Sequence, residues 1–140
     1  MGLPVDEGTV TETEIKGEFR FPTQWKQLLM ASNGFEIEAN IDTWQGYPVK
    51  DTSSNKHLSR SANHVLWETE QLKKYSRFPA NAIAVGANGA GDALIINKRS
   101  NEIFAWFHET GALTSITLNF DLAMRKITTR IGAVRGKHYA

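Results

Sequence analysis

The sequence predicts an α+β domain: a single, mainly antiparallel sheet of about five to six strands with helices packed on it. Three stretches carry that prediction. In the first, two apolar β-type runs, Ile83 to Val85 and Ala93 to Ile96, flank a turn holding Gly86, Asn88, Gly89, Gly91 and Asp92. Glycine and asparagine tolerate positive φ, so the turn can be tight and the runs can pair as strands. In the second, Ile103-Phe104-Ala105-Trp106-Phe107 shows no alternation of polarity, the pattern of a strand covered on both faces. In the third, Phe35, Ile37, Ala39 and Ile41 alternate with Glu36, Glu38, Asn40 and Asp42. That period of two marks a half-buried strand with an acidic outer face.

Along the chain, residues 1–12 are polar and read as a poorly ordered segment, with a single domain over 13–132 and a tail over 133–140. Thr13 to Phe19 can form a short helix, with Ile15 and Phe19 at i, i+4. Pro22 and Thr23 open a firmer helix over 23–32, in which Trp25, Leu28, Leu29 and Ser32 share one face and Asn33-Gly34 supplies the stop. After the acidic strand, residues 44–63 read as a long loop with few apolar side chains. Val65-Leu66-Trp67 reads as a short β-type run, followed by a helix capped by Thr69. Strands are expected over 35–41, 82–86, 93–97, 102–108 and 114–118. Asn119 caps a last helix over 120–131, with Phe120, Ala123, Met124, Ile127 and Ile131 in a stripe and Gly132 as its stop.

Composition narrows the functional classes. A chain of 140 residues with 41% hydrophobic and 22% charged content is ordinary for one globular domain. The absence of cysteine excludes disulfides, thiolate metal sites and cysteine nucleophiles. No apolar run approaches a membrane span, and the N-terminus has neither the basic nor the apolar region of a signal peptide, so the cytoplasm is the expected location. The formal charge of +1 is unevenly placed: residues 1–42 hold eight acids against three bases, while residues 98–140 hold three acids against seven bases. From Arg125 to Ala140 there are five bases and no acid, with no interleaved aromatic until Tyr139, which argues against nucleic acid as a partner.

Reactive constellations are sought and not found. Gly86-x-x-Gly89-x-Gly91 is followed by Asp92 and a strand, where a phosphate loop needs Lys, then Ser or Thr, and a helix. It reads as a hairpin turn. His57, His64, His108 and His138 lack the spacing that puts two imidazoles on one helix face, so no metal site is implied and they read as exposed loop and turn residues. No strand–elbow–helix serine motif exists, and no base–nucleophile pair is visible. Glu36 with Glu38, and Glu68 with Glu70, are paired carboxylates; on a polar strand face the first pair reads as solvated. Among the four tryptophans, Trp25 and Trp106 lie in apolar patterns, whereas Trp44 stands at the mouth of the polar loop and is expected to be an exposed contact aromatic.

The order of the motifs resembles the SUKH superfamily, the Smi/Knr-like domains. Phe21-Pro22-Thr23-Gln24-Trp25-Lys26-Gln27-Leu28-Leu29, then Asn33-Gly34, resembles that family's opening helix. Val65 to Leu72 resembles its next strand-then-helix segment. Phe78-Pro79, Ile83 to Gly86, Asn88-Gly89 and Gly91-Asp92 resemble its central block, and Asn119-Phe120 stands where the family has Ser-Phe before the last helix. Phe21 departs from the family's leucine. The resemblance implies an α+β fold and a protein-binding role without enzymatic activity, catalytic residue or cofactor. Bacterial members are mostly immunity proteins that neutralise a cognate toxin domain, often a nuclease or deaminase; yeast members are cell-wall regulators. The leading expectation is therefore an immunity protein of a toxin–antitoxin pair, and the alternative is a regulatory or scaffold module. Glu36, Glu38, Asp42 and Trp44 are the expected partner surface, the acids facing the basic groove of a nucleic-acid-acting toxin. A plainer role for the same charges is to keep an edge strand from pairing with other chains.

Overall fold

The computed structural model describes residues 2–139, with side chains through residue 131. Six strands, β1 (Glu36–Glu38), β2 (Thr43–Gly46), β3 (Ala82–Ala87), β4 (Ala93–Asn97), β5 (Ile103–Trp106) and β6 (Leu113–Ser115), form one sheet in sequence order. All five pairings are antiparallel. The sheet curls until its ends meet: Ala39 bridges Leu118, Asn40 N–H donates to Thr117 O at 3.1 Å, and Asn119 N–H donates to Glu38 O at 2.9 Å. That closing bridge occupies the residues expected to lengthen the first and last strands.

Five helices accompany the sheet: α1 (Glu7–Gly17), α2 (Thr23–Ala31), α3 (Asn55–Arg60), α4 (Val65–Leu72) and α5 (Phe120–Tyr139). The principal core joins Trp25, Leu28 and Leu29 of α2 to Ile37, Trp44, Ile83, Val85, Leu94 and Ile96 of the sheet. A second, smaller core of Ala82, Ala93, Ile95 and Trp106 lies on the opposite face, covered by Leu72 and Phe78. Strands β3 and β4 are thus buried on both sides, as their unbroken apolar runs predict. A bulge between Ala84 and Gly86 brings β3 against β2, where a Cβ on Gly86 would sit 2.8 Å from Gln45 O.

Five expectations need correction. Residues 1–12 are not a loose segment: Asp6 Oδ1 accepts from Thr9 N–H at 2.7 Å and caps α1, whose Val10 is fully buried. Val5 N–H donates to Met30 O and Asn33 N–H to Leu3 O, strapping the N-terminus over α2. The capping bond and packing override the weak helix preference of a Gly- and Thr-rich stretch. Ile15 is 72% exposed, and Phe19 turns inward only because Glu18 takes a left-handed φ of 56° at the helix end. Residues 44–63 are not one long loop, since they include most of β2 and all of α3, the latter capped by Ser54. Val65-Leu66-Trp67 is the first turn of α4 and not a strand; its cap is His64, while Thr69 lies buried in mid-helix. Finally, α5 continues through Gly132 to Tyr139 in place of a tail, because glycine weakens a helix by only about 1 kcal/mol and keeps its hydrogen bond.

Candidate functional site

The acidic strand is the outer strand of a β1–β2 hairpin, and its register fixes which side chains face out. Glu36 pairs with Gln45, Ile37 with Trp44 and Glu38 with Thr43. Ile37 and Trp44 point into the core, so Glu36, Glu38, Thr43 and Gln45 line the solvent face. Glu36 makes no ion pair among the described residues, while Glu38 Oε1 lies 2.9 Å from Lys126 Nζ of α5. That exposed pair ties the hairpin to the last helix and contributes at most about 1 kcal/mol.

Asp42 is exposed but sits at the hairpin turn and not in the acidic row. Its φ is 65°, Oδ1 accepts from Thr43 N–H at 2.8 Å, and Oδ2 accepts from Asn88 Nδ2 at 3.1 Å. One carboxylate thus shapes the turn and binds it to the neighbouring glycine-rich turn. Trp44 is placed quite differently from the expectation. It is fully buried, and its indole N–H donates to Ile41 O at 2.7 Å. The alternation of the first strand resumes after the turn as Thr43, Trp44, Gln45 and Gly46, which sends the tryptophan inward. Trp44 is a core residue and offers no contact surface.

The glycine-rich turn is closed by its own polar groups. Asn88 Oδ1 accepts from Ala90 N–H and Asp92 N–H, both at 3.0 Å, and Asn88 N–H donates to Asp92 O. Amides held this way are not presented to a phosphate, in agreement with the hairpin reading. Asp92 Oδ1 lies 2.8 Å from His108 Nδ1 and accepts from His108 N–H. Burial raises the Asp92 carboxyl, but hydrogen bonds from His108 and Asn88 outweigh it and hold the group below the usual carboxylate range. His108 is therefore half-buried and structural, correcting its expectation as an exposed turn residue. In the other carboxylate pair, burial raises Glu68, and Glu70 is an exposed partner of Lys73.

Two polar residues that the sequence marks as a helix stop and a helix cap instead fasten the core. Asn33 is buried; its Nδ2 donates to Val49 O and its Oδ1 accepts from Val49 N–H, both at 2.8 Å. Thr69 Oγ1 donates to Val65 O and accepts from Ala84 N–H, locking α4 onto β3. Among the described residues no cluster of three His, Asp or Glu side chains is placed to hold a metal, and no helix is long and apolar enough to cross a membrane. Compared with known proteins, residues 4–125 match the model of the SMI1/KNR4 family (SUKH-1). No curated protein and no solved structure matches the chain.

Proposed function

The chain belongs to the SMI1/KNR4 family (SUKH-1), and from that membership we propose that it is a non-enzymatic, cytoplasmic immunity protein that binds and neutralises a cognate nucleic-acid-acting toxin domain. The observation that carries the reading is the outward face of the β1–β2 hairpin, where Glu36 and Glu38 stand side by side above a buried row. Neighbouring like charges repel, so beyond the exposed Glu38–Lys126 pair they add little to strand stability. A toxin that grips a polyphosphate backbone presents a basic groove, and an acidic face complements it in charge and speeds encounter. Asp42, bound to Asn88, holds the hairpin tip in place beside that face.

Such a protein needs no reactive group of its own, because occupying the groove suffices. The test is to find whether a toxin domain is encoded beside this chain's gene and to measure its stoichiometric inhibition. One equivalent of purified protein should abolish nucleic-acid cleavage or modification, and co-expression should protect cells. An unchanged toxin rate at excess protein would refute the reading and favour the regulatory-module alternative.

A further inference from the structure

A cavity of about 110 Å³ lies between α1, the segment before α3 and the N-terminus of α4, with no residue of the acidic hairpin in its lining. The space equals three to four water molecules at about 30 Å³ each, the scale of a tetrahedral oxyanion. Its lining is cationic and rich in hydroxyls. Lys16 and Lys50 border it, together with His64, Thr9, Thr13 and Thr52. Glu12 is the one acid in the lining and is engaged by Lys16 at 2.8 Å, whereas Lys50 has no ion pair among the described residues.

Two further features point inward. Thr13 is only 4% exposed, yet its hydroxyl has no hydrogen-bond partner among the described residues. Solvent in the cavity reaches that hydroxyl, which leaves it free to donate to a ligand there. At the start of α4, Val65 N–H donates to Pro48 O and Trp67 N–H donates to His64 Nδ1. Leu66 N–H has no partner among the described residues, and Leu66 borders the cavity. Since Nδ1 of His64 accepts, its ring proton is on Nε2, which makes a further donor. Burial, then the nearby Lys50 and Lys16 charges, hold His64 below the ordinary histidine range, as expected of an imidazole in a field of positive charge.

We propose that this cavity is a phosphate-binding site, in which Lys50, Lys16, the Thr13 hydroxyl, His64 Nε2–H and Leu66 N–H converge on one phosphoryl group. Lys50 supplies the unpaired charge, Lys16 shares its own with Glu12, and the first turn of α4 supplies an oriented amide and the positive end of its dipole. The proposal goes beyond the toxin-binding reading and does not depend on it. The ligand is free phosphate or the phosphoryl group of a phosphomonoester, which share this chemistry.

The test titrates the full chain, in phosphate- and sulfate-free buffer at constant ionic strength, with inorganic phosphate and separately with O-phosphoserine, followed by amide and histidine NMR. Saturable shifts at Thr13, Lys50, His64 and Leu66 are expected. The His64 titration should also move upward with phosphate, against fixed contributions from Glu12, Lys16, Lys50 and Glu68. Lys50→Gln and Thr13→Val should each weaken binding by about fivefold or more without lowering the melting temperature in chloride, and Lys73→Gln should not. His64→Asn retains a helix cap while removing the ring donor, and should weaken binding in a protein that still folds. Tighter O-phosphoserine binding assigns the site to a phosphomonoester, and the reverse order assigns it to free phosphate. No saturable shift at these residues up to about 10 mM of either probe, or equal affinity in the Lys50 and Thr13 variants, overturns the proposal.

Discussion

Valine at Gly91 and at Gly89 separates two glycines that look alike in sequence. Gly91 has φ of +90°, where an L-residue is strained; Gly89 lies outside the positive region. A Cβ at Gly91 would stand 3.2 Å from His108 Cε1, pressing on the ring paired with Asp92, while a Cβ at Gly89 would meet nothing within 4 Å. A left-handed backbone costs a non-glycine residue about 1–2 kcal/mol, and β-branching puts valine at the upper end. For a domain of this size each kcal/mol lowers the melting temperature by about 3–4 °C. Gly91→Val should therefore melt about 6–8 °C below wild type by circular dichroism, before any cost of moving His108. Gly89→Val should stay within about 2 °C, as an unhindered surface change does. Equal melting temperatures for the two variants, or a larger loss at Gly89, would refute this account of the turn.

Thr69→Val keeps the shape but leaves the buried Ala84 N–H without its side-chain acceptor, and should cost about 1–3 kcal/mol in urea denaturation. Trp44→Ala should destabilise by about 3–5 kcal/mol, as emptying a core site does; normal stability with faster toxin dissociation would restore Trp44 to the surface. His64 gives a pH prediction. Its folded pKa lies below the unfolded value of 6.5, so the unfolded chain takes up its proton first. Stability should be full above that pH and decline as pH falls through the window just below it. His64→Asn should remove that component of the decline in phosphate-free buffer; an unchanged slope would place its origin elsewhere.

The sheet was legible where burial is two-sided or strictly alternating. Ile83–Val85, Ala93–Ile96 and Ile103–Trp106 announce strands because no polar residue interrupts them, and Glu36–Glu38 because it alternates. Thr43–Gly46 escaped because a turn residue precedes it and its inward positions are a tryptophan and a glycine, whose register becomes visible only once it pairs with β1. The first half of α1 and all of α3 escaped because capping and packing, not amphipathic periodicity, hold them; Asp6 and Ser54 were the readable signals. Val65-Leu66-Trp67 has strand-like composition, but its local fate is decided by His64 as cap and by contact with β3. The acidic face was half legible. Alternation places Glu36 and Glu38 outward, whereas the employment of Asp42 in the turn depends on Asn88, forty-six residues away. The cavity beneath His64 was not legible, since its lysines, threonines and imidazole come from three separate parts of the chain.

Association kinetics of the cognate toxin with the Glu36→Lys, Glu38→Lys double variant test the central claim most directly. Losing the exposed Glu38–Lys126 pair should alter stability by no more than about 1 kcal/mol, so the variant remains folded. In stopped-flow at low ionic strength, charge reversal should slow association by about tenfold or more, and the gap should narrow as salt screens both proteins. Wild-type association rates for the folded double variant in low salt, with protection of cells intact, would contradict the assignment of the β1–β2 face as the toxin-binding surface.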